Sequence, residues 1–227
     1  MRELLTGQQM REVDQAAIKD IGIPSLVLME RAAMAVSEEV LKRAGKEDIV
    51  WCACGCGNNG ADGVAVGRLL SGAGMNVVIV TVGDRERGSR EFLRQVSIAQ
   101  KLGLNLVEYR DFIPGRCDIL VDAVFGVGLS RSVEGEYKAF LEMLGQAGPK
   151  LTVAVDVPSG ISSDNGRILG MALKADVTVT FGWEKLGTAL YPGKEYAGEV
   201  VVADIGVPRL AFEAARRNWP EGGTEGI

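Results

Sequence analysis

The sequence predicts a wound α/β domain, a mainly parallel sheet covered by helices on both faces, set behind an N-terminal helical arm. Short apolar runs recur along the chain without polar alternation, as in strands buried on both faces. Helical or turn-rich stretches separate them, the order that builds parallel sheets. The first run ends in a glycine loop, Gly55-Cys56-Gly57-Asn58-Asn59-Gly60-Ala61-Asp62-Gly63, that leads into a helical pattern. With 227 residues and 47% hydrophobic content, the chain suits one domain with a large core rather than two.

In chain order, Met10, Val13, Ala17 and Ile21 follow helical spacing until Gly22 interrupts it, and Pro24 opens a second helix through Met29, Ala32, Val36 and Val40. Strands are expected at Ile49–Cys54, Asn76–Val82, Leu104–Glu108, Asp118–Val124, Leu151–Val157, Asp176–Phe181 and Glu199–Ile205. Helices are expected at Ala61–Ala73, Ser89–Leu102 and Gly135–Gly145. No clear helix separates the last two strands. The stretch from Trp183 to Gly198, with Tyr191-Pro192-Gly193, reads as a long connection that leaves room for an antiparallel last strand at a sheet edge. Residues 1–218 make the domain, and Trp219 to Ile227 reads as a flexible tail.

Net charge is −5 with both signs mixed, which gives no footprint for nucleic acid or for a basic membrane-binding face. No apolar run approaches the roughly 18 residues that span a bilayer, so a cytoplasmic protein is expected. Histidine is absent, which removes the commonest general base and any Ser-His or Cys-His pair. Proton transfer falls to Asp, Glu, Lys, Tyr or Cys. Cys52 and Cys54 read as small core side chains, Cys117 lies far off, and Cys56 is left as the one loop thiol.

Gly55, Gly57 and Gly60 satisfy G-x-G-x-x-G, and Asp84 follows about 24 residues later, so a dinucleotide fingerprint is formally met. Asn58, Asn59 and Asp62 sharpen the loop, because a carboxylate there repels a pyrophosphate on the same helix end. Capping by Asn59, with Asp62 at the third helical position, accounts for one or two of these residues but not all three. Ligands of such sheets bind beyond the carboxyl ends of the strands. Two more of those ends are polar and glycine-rich, Asp122-Ala123-Val124-Phe125-Gly126-Val127-Gly128-Leu129-Ser130-Arg131 and Asp156-Val157-Pro158-Ser159-Gly160. Either aspartate alone is explained by loop capping. Two at neighbouring strand ends, facing Asn59 and Ser159, point to an oxygen-rich pocket.

Taken in order, Asn58 to Gly63, Asp122 to Leu129 and Asp156 to Gly160 closely resemble the YjeF N-terminal domain family, whose members are NAD(P)H-hydrate epimerases. Leu28-Met29-Glu30-Arg31-Ala32, Thr178-Val179-Thr180-Phe181-Gly182 with Lys185, and Asp204-Ile205-Gly206-Val207-Pro208 are similar to it as well. The resemblance implies a Rossmann-like three-layer α/β/α sandwich. The implied reaction interconverts the S and R hydrates of NADH or NADPH at C6 of the nicotinamide ring, for an ADP- or ATP-dependent dehydratase to restore. It assigns the hydrate to Asn58, Asn59, Gly60, Ala61, Asp62, to Gly126, Val127, Gly128, Leu129, Ser130, Arg131, Ser132, and to Asp156, and a potassium ion to Asn59, Asp122 and Ser159. A homodimer is implied too. Oxygen donors of this kind suit a hard cation. Asp156 is expected to transfer the proton, and Lys185 either lies near the site or forms an exposed salt bridge.

Two positions depart from the family pattern, Ala61 and Ala33 standing where glycine is usual, and the methyl of Ala61 is expected where the backbone approaches ligand. Three other readings stay open: an NAD-dependent dehydrogenase using the glycines and Asp84, a non-catalytic nucleotide- or partner-binding protein, and a ligand-responsive module of a longer protein.

Overall fold

Val/Ile runs with no polar face to offer water are stable only where both faces are covered. In the computed structural model, which describes residues 3–219, they lie side by side in a seven-stranded sheet. Its strands are β2 (Ile49–Cys54), β3 (Asn76–Thr81), β4 (Leu106–Glu108), β5 (Ile119–Ala123), β6 (Leu151–Val155), β7 (Val177–Phe181) and β9 (Glu199–Ala203), in the spatial order β4-β3-β2-β5-β6-β7-β9. Every neighbouring pair is parallel. A separate two-stranded parallel pair joins β1 (Leu4–Leu5) to β8 (Glu184–Lys185).

Alternate residues of β2 feed opposite cores: Val50, Cys52 and Cys54 enter one, Trp51 and Ala53 the other. The first core is closed by α2 (Ser25–Arg43), α3 (Asn58–Gly72) and α4 (Arg90–Lys101), the second by α5 (Gly135–Gln146) through Phe140, Leu141 and Leu144. This is the three-layer α/β/α arrangement expected. The arm is α1 (Gly7–Gln15), capped by a reciprocal Thr6–Gln9 pair and continued by a π-helical turn, Ala16–Asp20. It packs on α8 (Arg209–Arg216). Among the described residues no helix is long and apolar enough to cross a membrane.

The last strand differs from the sequence reading: β9 is an edge strand but runs parallel to β7, in register Val177↔Glu199 through Phe181↔Ala203. The connection is not a bare loop. Residues 182–198 hold β8 and two short helices, α6 (Leu186–Ala189) and α7 (Gly193–Ala197), enough chain for a crossover of a dozen or more residues. Trp219 does not belong to a free tail either, since its ring stands edge-on to Phe212 at 5.6 Å and its Nε1 donates to Glu12 Oε2 at 2.7 Å. The rest of that expected tail, residues 220–227, lies outside the described residues.

Strand order reverses between β2 and β5, so the connections leaving their carboxyl ends diverge and open a crevice. The glycine loop sits there, pressed backbone to backbone. A Cβ on Gly60 would lie 1.6 Å from Gly55 O, and one on Gly55 would lie 2.2 Å from Val124 O. Gly60→Ala therefore forces α3 away from the sheet. We expect it to lower unfolding stability by about 3 kcal/mol, the upper end of the overpacking range. Urea denaturation measures this, and a loss under about 0.5 kcal/mol, the size of an ordinary surface change, contradicts the close contact.

Candidate active site

Asp122, at the end of β5, is fully buried. Its Oδ1 accepts from Ser159 Oγ at 2.5 Å and its Oδ2 from Ser159 N at 2.8 Å, while Val124 N approaches Oδ1 at 3.4 Å. Ser159 Oγ in turn accepts from Phe125 N at 2.9 Å. All these donors are neutral. Burial, opposed by the Ser159 and Val124 hydrogen bonds, pushes the carboxyl up to about 6.

Asn59 reaches the same place from α3. The helix is capped by Gly57 with no side-chain bond, so neither Asn59 nor Asp62 has the capping role their positions suggested. Instead Asn59 packs on Gly126, where a Cβ would stand 2.8 Å from its Oδ1, and its Nδ2 is buried without a partner. The amide oxygen and nitrogen exchange places by a flip, so either end can face the vacant direction. Asn59, Asp122 and Ser159 are thus gathered around Phe125–Gly126, as the sequence implied.

Beside this network lies a cavity of about 350 Å³ whose wall includes Asp14, Asn58, Asp62, Val127, Asp156 and Lys185. Asp156 follows β6 in the left-handed region, φ 69°, a conformation uncommon outside glycine and concentrated at functional sites. Its backbone N donates to Val179 O at 2.8 Å. Lys185, only 1% exposed, does not form the exposed salt bridge that was one of its two readings. Its Nζ lies 2.6 Å from Asp156 Oδ1 and donates to Phe181 O at 2.9 Å and Thr180 Oγ1 at 3.0 Å, and Thr180 Oγ1 donates to Asp156 Oδ1 at 3.1 Å.

Two further carboxyls of this wall are raised, chiefly by burial. Burial pushes Asp14 up to about 6, with Lys185 opposing and Asp156 adding to the rise. Asp62 stands well above the carboxylate range, again chiefly through burial, with Asp156 and Asp14 contributing. The site therefore gathers an Asp62 pushed well above the carboxylate range, an Asp14 raised to about 6, and an Asp156 paired with Lys185. Asp14 was missed from sequence, although it lies four residues after Met10 and three before Ala17, a carboxylate on the apolar stripe of α1.

The remaining expected residues divide. Asn58, Asp62, Val127 and Asp156 line the cavity, whereas Gly128, Ser130, Arg131 and Ser132 are exposed on the loop after β5, and Leu129 packs toward the second core. Gly60 is buried against the glycine loop. Ala61 and Ala33 are fully buried in the first core, so the Ala61 methyl points into packing and not toward a ligand. Cys56 Sγ bonds Val82 O at 3.2 Å, and burial pushes its thiol up to about 11, away from reactivity. Asp84 accepts from Glu86 N to cap the 3-10 turn Arg85–Arg87. Among the described residues no group of three or more Cys, Asp or Glu side chains is placed to hold a metal ion.

The model of the family described as YjeF-related protein N-terminus matches residues 25–187. The chain belongs to this family. It is 42% identical over 202 residues to an NAD(P)H-hydrate epimerase of Limosilactobacillus fermentum, covering 89% of this chain and 96% of that protein. It is 43% identical over 204 residues to one of Oenococcus oeni, with the same 89% and 96% coverage. The crystal structure of yeast ynu0 is similar in fold, with a TM-score of 0.74 at 24% identity over 82% of this chain and 83% of that one.

The Lys185–Asp156 pair yields a stability prediction. Lys185→Met leaves a buried carboxylate uncompensated and is expected to cost about 3–5 kcal/mol. The double variant Lys185→Met/Asp156→Asn should recover part of that loss. Urea unfolding of the double-mutant cycle reads the coupling, and additive effects would show that the two groups do not depend on each other.

Proposed function

We propose that the chain is an isomerase that epimerises the S and R hydrates of NADH and NADPH at C6 of the nicotinamide ring. The carrying observation is the cavity at the strand-order switch, with a strained, ion-paired Asp156 in its wall. Family membership and relatives of that name over nearly their whole length support the reading. Asn58, Asn59 and Asp62, the backbone of Gly60 and Ala61, the Gly126–Ser132 loop and Asp156 bind the hydrate. In a cytoplasmic setting the chain acts as a homodimer and supplies an ADP- or ATP-dependent dehydratase.

The residues fit a potassium ion. Asp122 is a buried carboxylate served by neutral donors alone, and the Asn59 amide beside it has an end without a partner. Asn59, Asp122 and Ser159 would hold the ion through amide, carboxylate and hydroxyl oxygens. When bound, it supplies a fixed positive charge that compensates the ionised Asp122.

Epimerisation requires departure and return of the C6 oxygen, through a ring cation conjugated with the ring nitrogen. Asp156 gives and takes the proton at that oxygen, and Lys185 and Thr180 hold its carboxyl in place. Asp62, its carboxyl pushed up chiefly by burial, stands in the same wall to meet an oxygen of the substrate. Asp84, engaged in its turn, lies outside the cavity wall, which weighs against hydride transfer on a ribose held there.

Mixing the chain with one hydrate epimer in ¹⁸O-water and following the ratio by chromatography tests this. The label should enter C6 as the epimers equilibrate. Asp156→Asn should slow the turnover of folded protein about 100- to 10,000-fold, beside the loss of stability that a buried Lys185 without its carboxylate brings, and near-normal turnover would remove Asp156 from the role. A second measurement addresses the cation. Asp122 has its folded pKa raised, so without a cation its contribution is present below about pH 4 and lost as pH rises through about 6. Potassium binds the ionised form and should raise the melting temperature at about pH 8 but not at about pH 4. Asp122→Asn should abolish the response, and an equal response to a bulky organic cation would argue against a built site.

A further inference from the structure

The cavity draws carboxyls from two sources. Asp156 and the lysine that holds it belong to the carboxyl edge of the sheet, whereas Asp14 is carried by α1 of the arm. That helix is fastened across the edge at two points. Gly7 N donates to Asp164 Oδ1 at 2.7 Å, and Arg11 Nη1 donates to Val127 O at 2.6 Å in the loop after β5. One turn on, Asp14 faces the cavity, and it makes no hydrogen bond or ion pair among the described residues.

Resting on the epimerase reading, we infer that Asp14 is a second catalytic acid/base, serving the C6 oxygen on the ring face turned toward the arm while Asp156 serves the opposite face. Loss and return of a hydroxyl with inversion places the oxygen first on one face and then on the other. A single carboxyl fixed in one wall meets only one of these positions, so the reaction calls for a proton-exchanging group on each side. In one direction the Asp14 carboxyl gives its proton to the C6 hydroxyl, and the C–O bond breaks with its electron pair leaving on oxygen as water. The ring cation remains, its charge shared with the ring nitrogen. Water then forms the new C–O bond on the other face and yields its proton to Asp156. Nothing is oxidised or reduced, and the reverse reaction exchanges the two roles. Exchange with solvent in the open cavity returns the proton.

The surroundings suit this role. Arg11 on the same helix, Asp62 on α3, Glu91 on α4, Asp156 after β6 and Lys185 on β8 line the cavity with Asp14. On α8, Arg209 and Arg216 are engaged by Glu3, and Lys19 and Asp20 of the π-helical turn are exposed. With its carboxyl raised to about 6, Asp14 exchanges a proton close to neutral pH, where a general acid is most effective. Asp62, pushed well above the carboxylate range chiefly by burial, is carried by α3 and not by the arm.

The test is the pH dependence of the epimerisation rate, kcat/KM, for the full chain. In the unaltered protein it should fall as pH rises through about 6, as the acid form of Asp14 is lost. Asp14→Asn should lose about 100- to 10,000-fold in rate and also lose this limb, while its affinity for NADPH, followed by fluorescence, stays within about threefold. Asp14→Glu, which keeps the carboxyl if the amide variant fails to fold, should keep the limb. So should Asp62→Asn. A normal rate in Asp14→Asn, persistence of the limb there, or its loss in Asp62→Asn overturns the assignment and leaves the epimerase reading standing. Failure of the unaltered chain to interconvert the epimers removes both.

Discussion

Burying the ammonium of Lys185 is tolerable only because three oxygens receive it, from Asp156, Thr180 and Phe181. Those oxygens belong to the turn after β6 and the end of β7, so the lysine holds two neighbouring strand ends in one relation. Its own strand, β8, pairs with β1, and β1 leads through Thr6 into α1. A single internal charge pair therefore determines where the arm begins, and the arm determines where Asp14 meets the cavity. The left-handed backbone at Asp156 belongs to the same arrangement, because an uncommon φ persists only where the surroundings over-determine it.

The two buried carboxylates at neighbouring strand ends are compensated differently. Asp156 has a full positive charge at 2.6 Å, whereas Asp122 has only the dipoles of Ser159 and Val124. The first arrangement fixes the orientation of a carboxyl in the cavity wall. The second leaves a carboxylate short of charge, and the unpartnered amide of Asn59 stands beside it. One fold thus gives two chemically similar residues different electrostatic surroundings.

Much of the sheet was legible because both-face burial writes itself as uninterrupted Val/Ile runs, and β2 matches its expected limits, Ile49–Cys54. The orientation of β9 was not legible, since residues 182–198 carry helices too short to leave a periodic trace. The gathering of Asn59, Asp122 and Ser159 followed from strand-end position and from resemblance together. Lys185 gave no local sign that it was internal, because a lysine after a strand is ordinarily solvated, and its partners Asp156, Thr180 and Phe181 come from other strand ends. Asp14 did leave a sign, a charge interrupting an apolar stripe, but its meaning depended on knowing that α1 crosses the carboxyl edge.

The contact between Gly55 and Gly60 has a thermodynamic consequence for recognition. Where backbone meets backbone there are no side-chain torsions, and this part of the crevice has none to freeze when a ligand arrives. Ordering a long side chain at an interface costs about 0.5–1.5 kcal/mol, and here that cost was already met when the chain folded. The rigidity extends into α3, whose first turn carries Asn58 and Asn59. The wall that Asn58 lends to the cavity accordingly stands on a base whose shape was set when the chain folded.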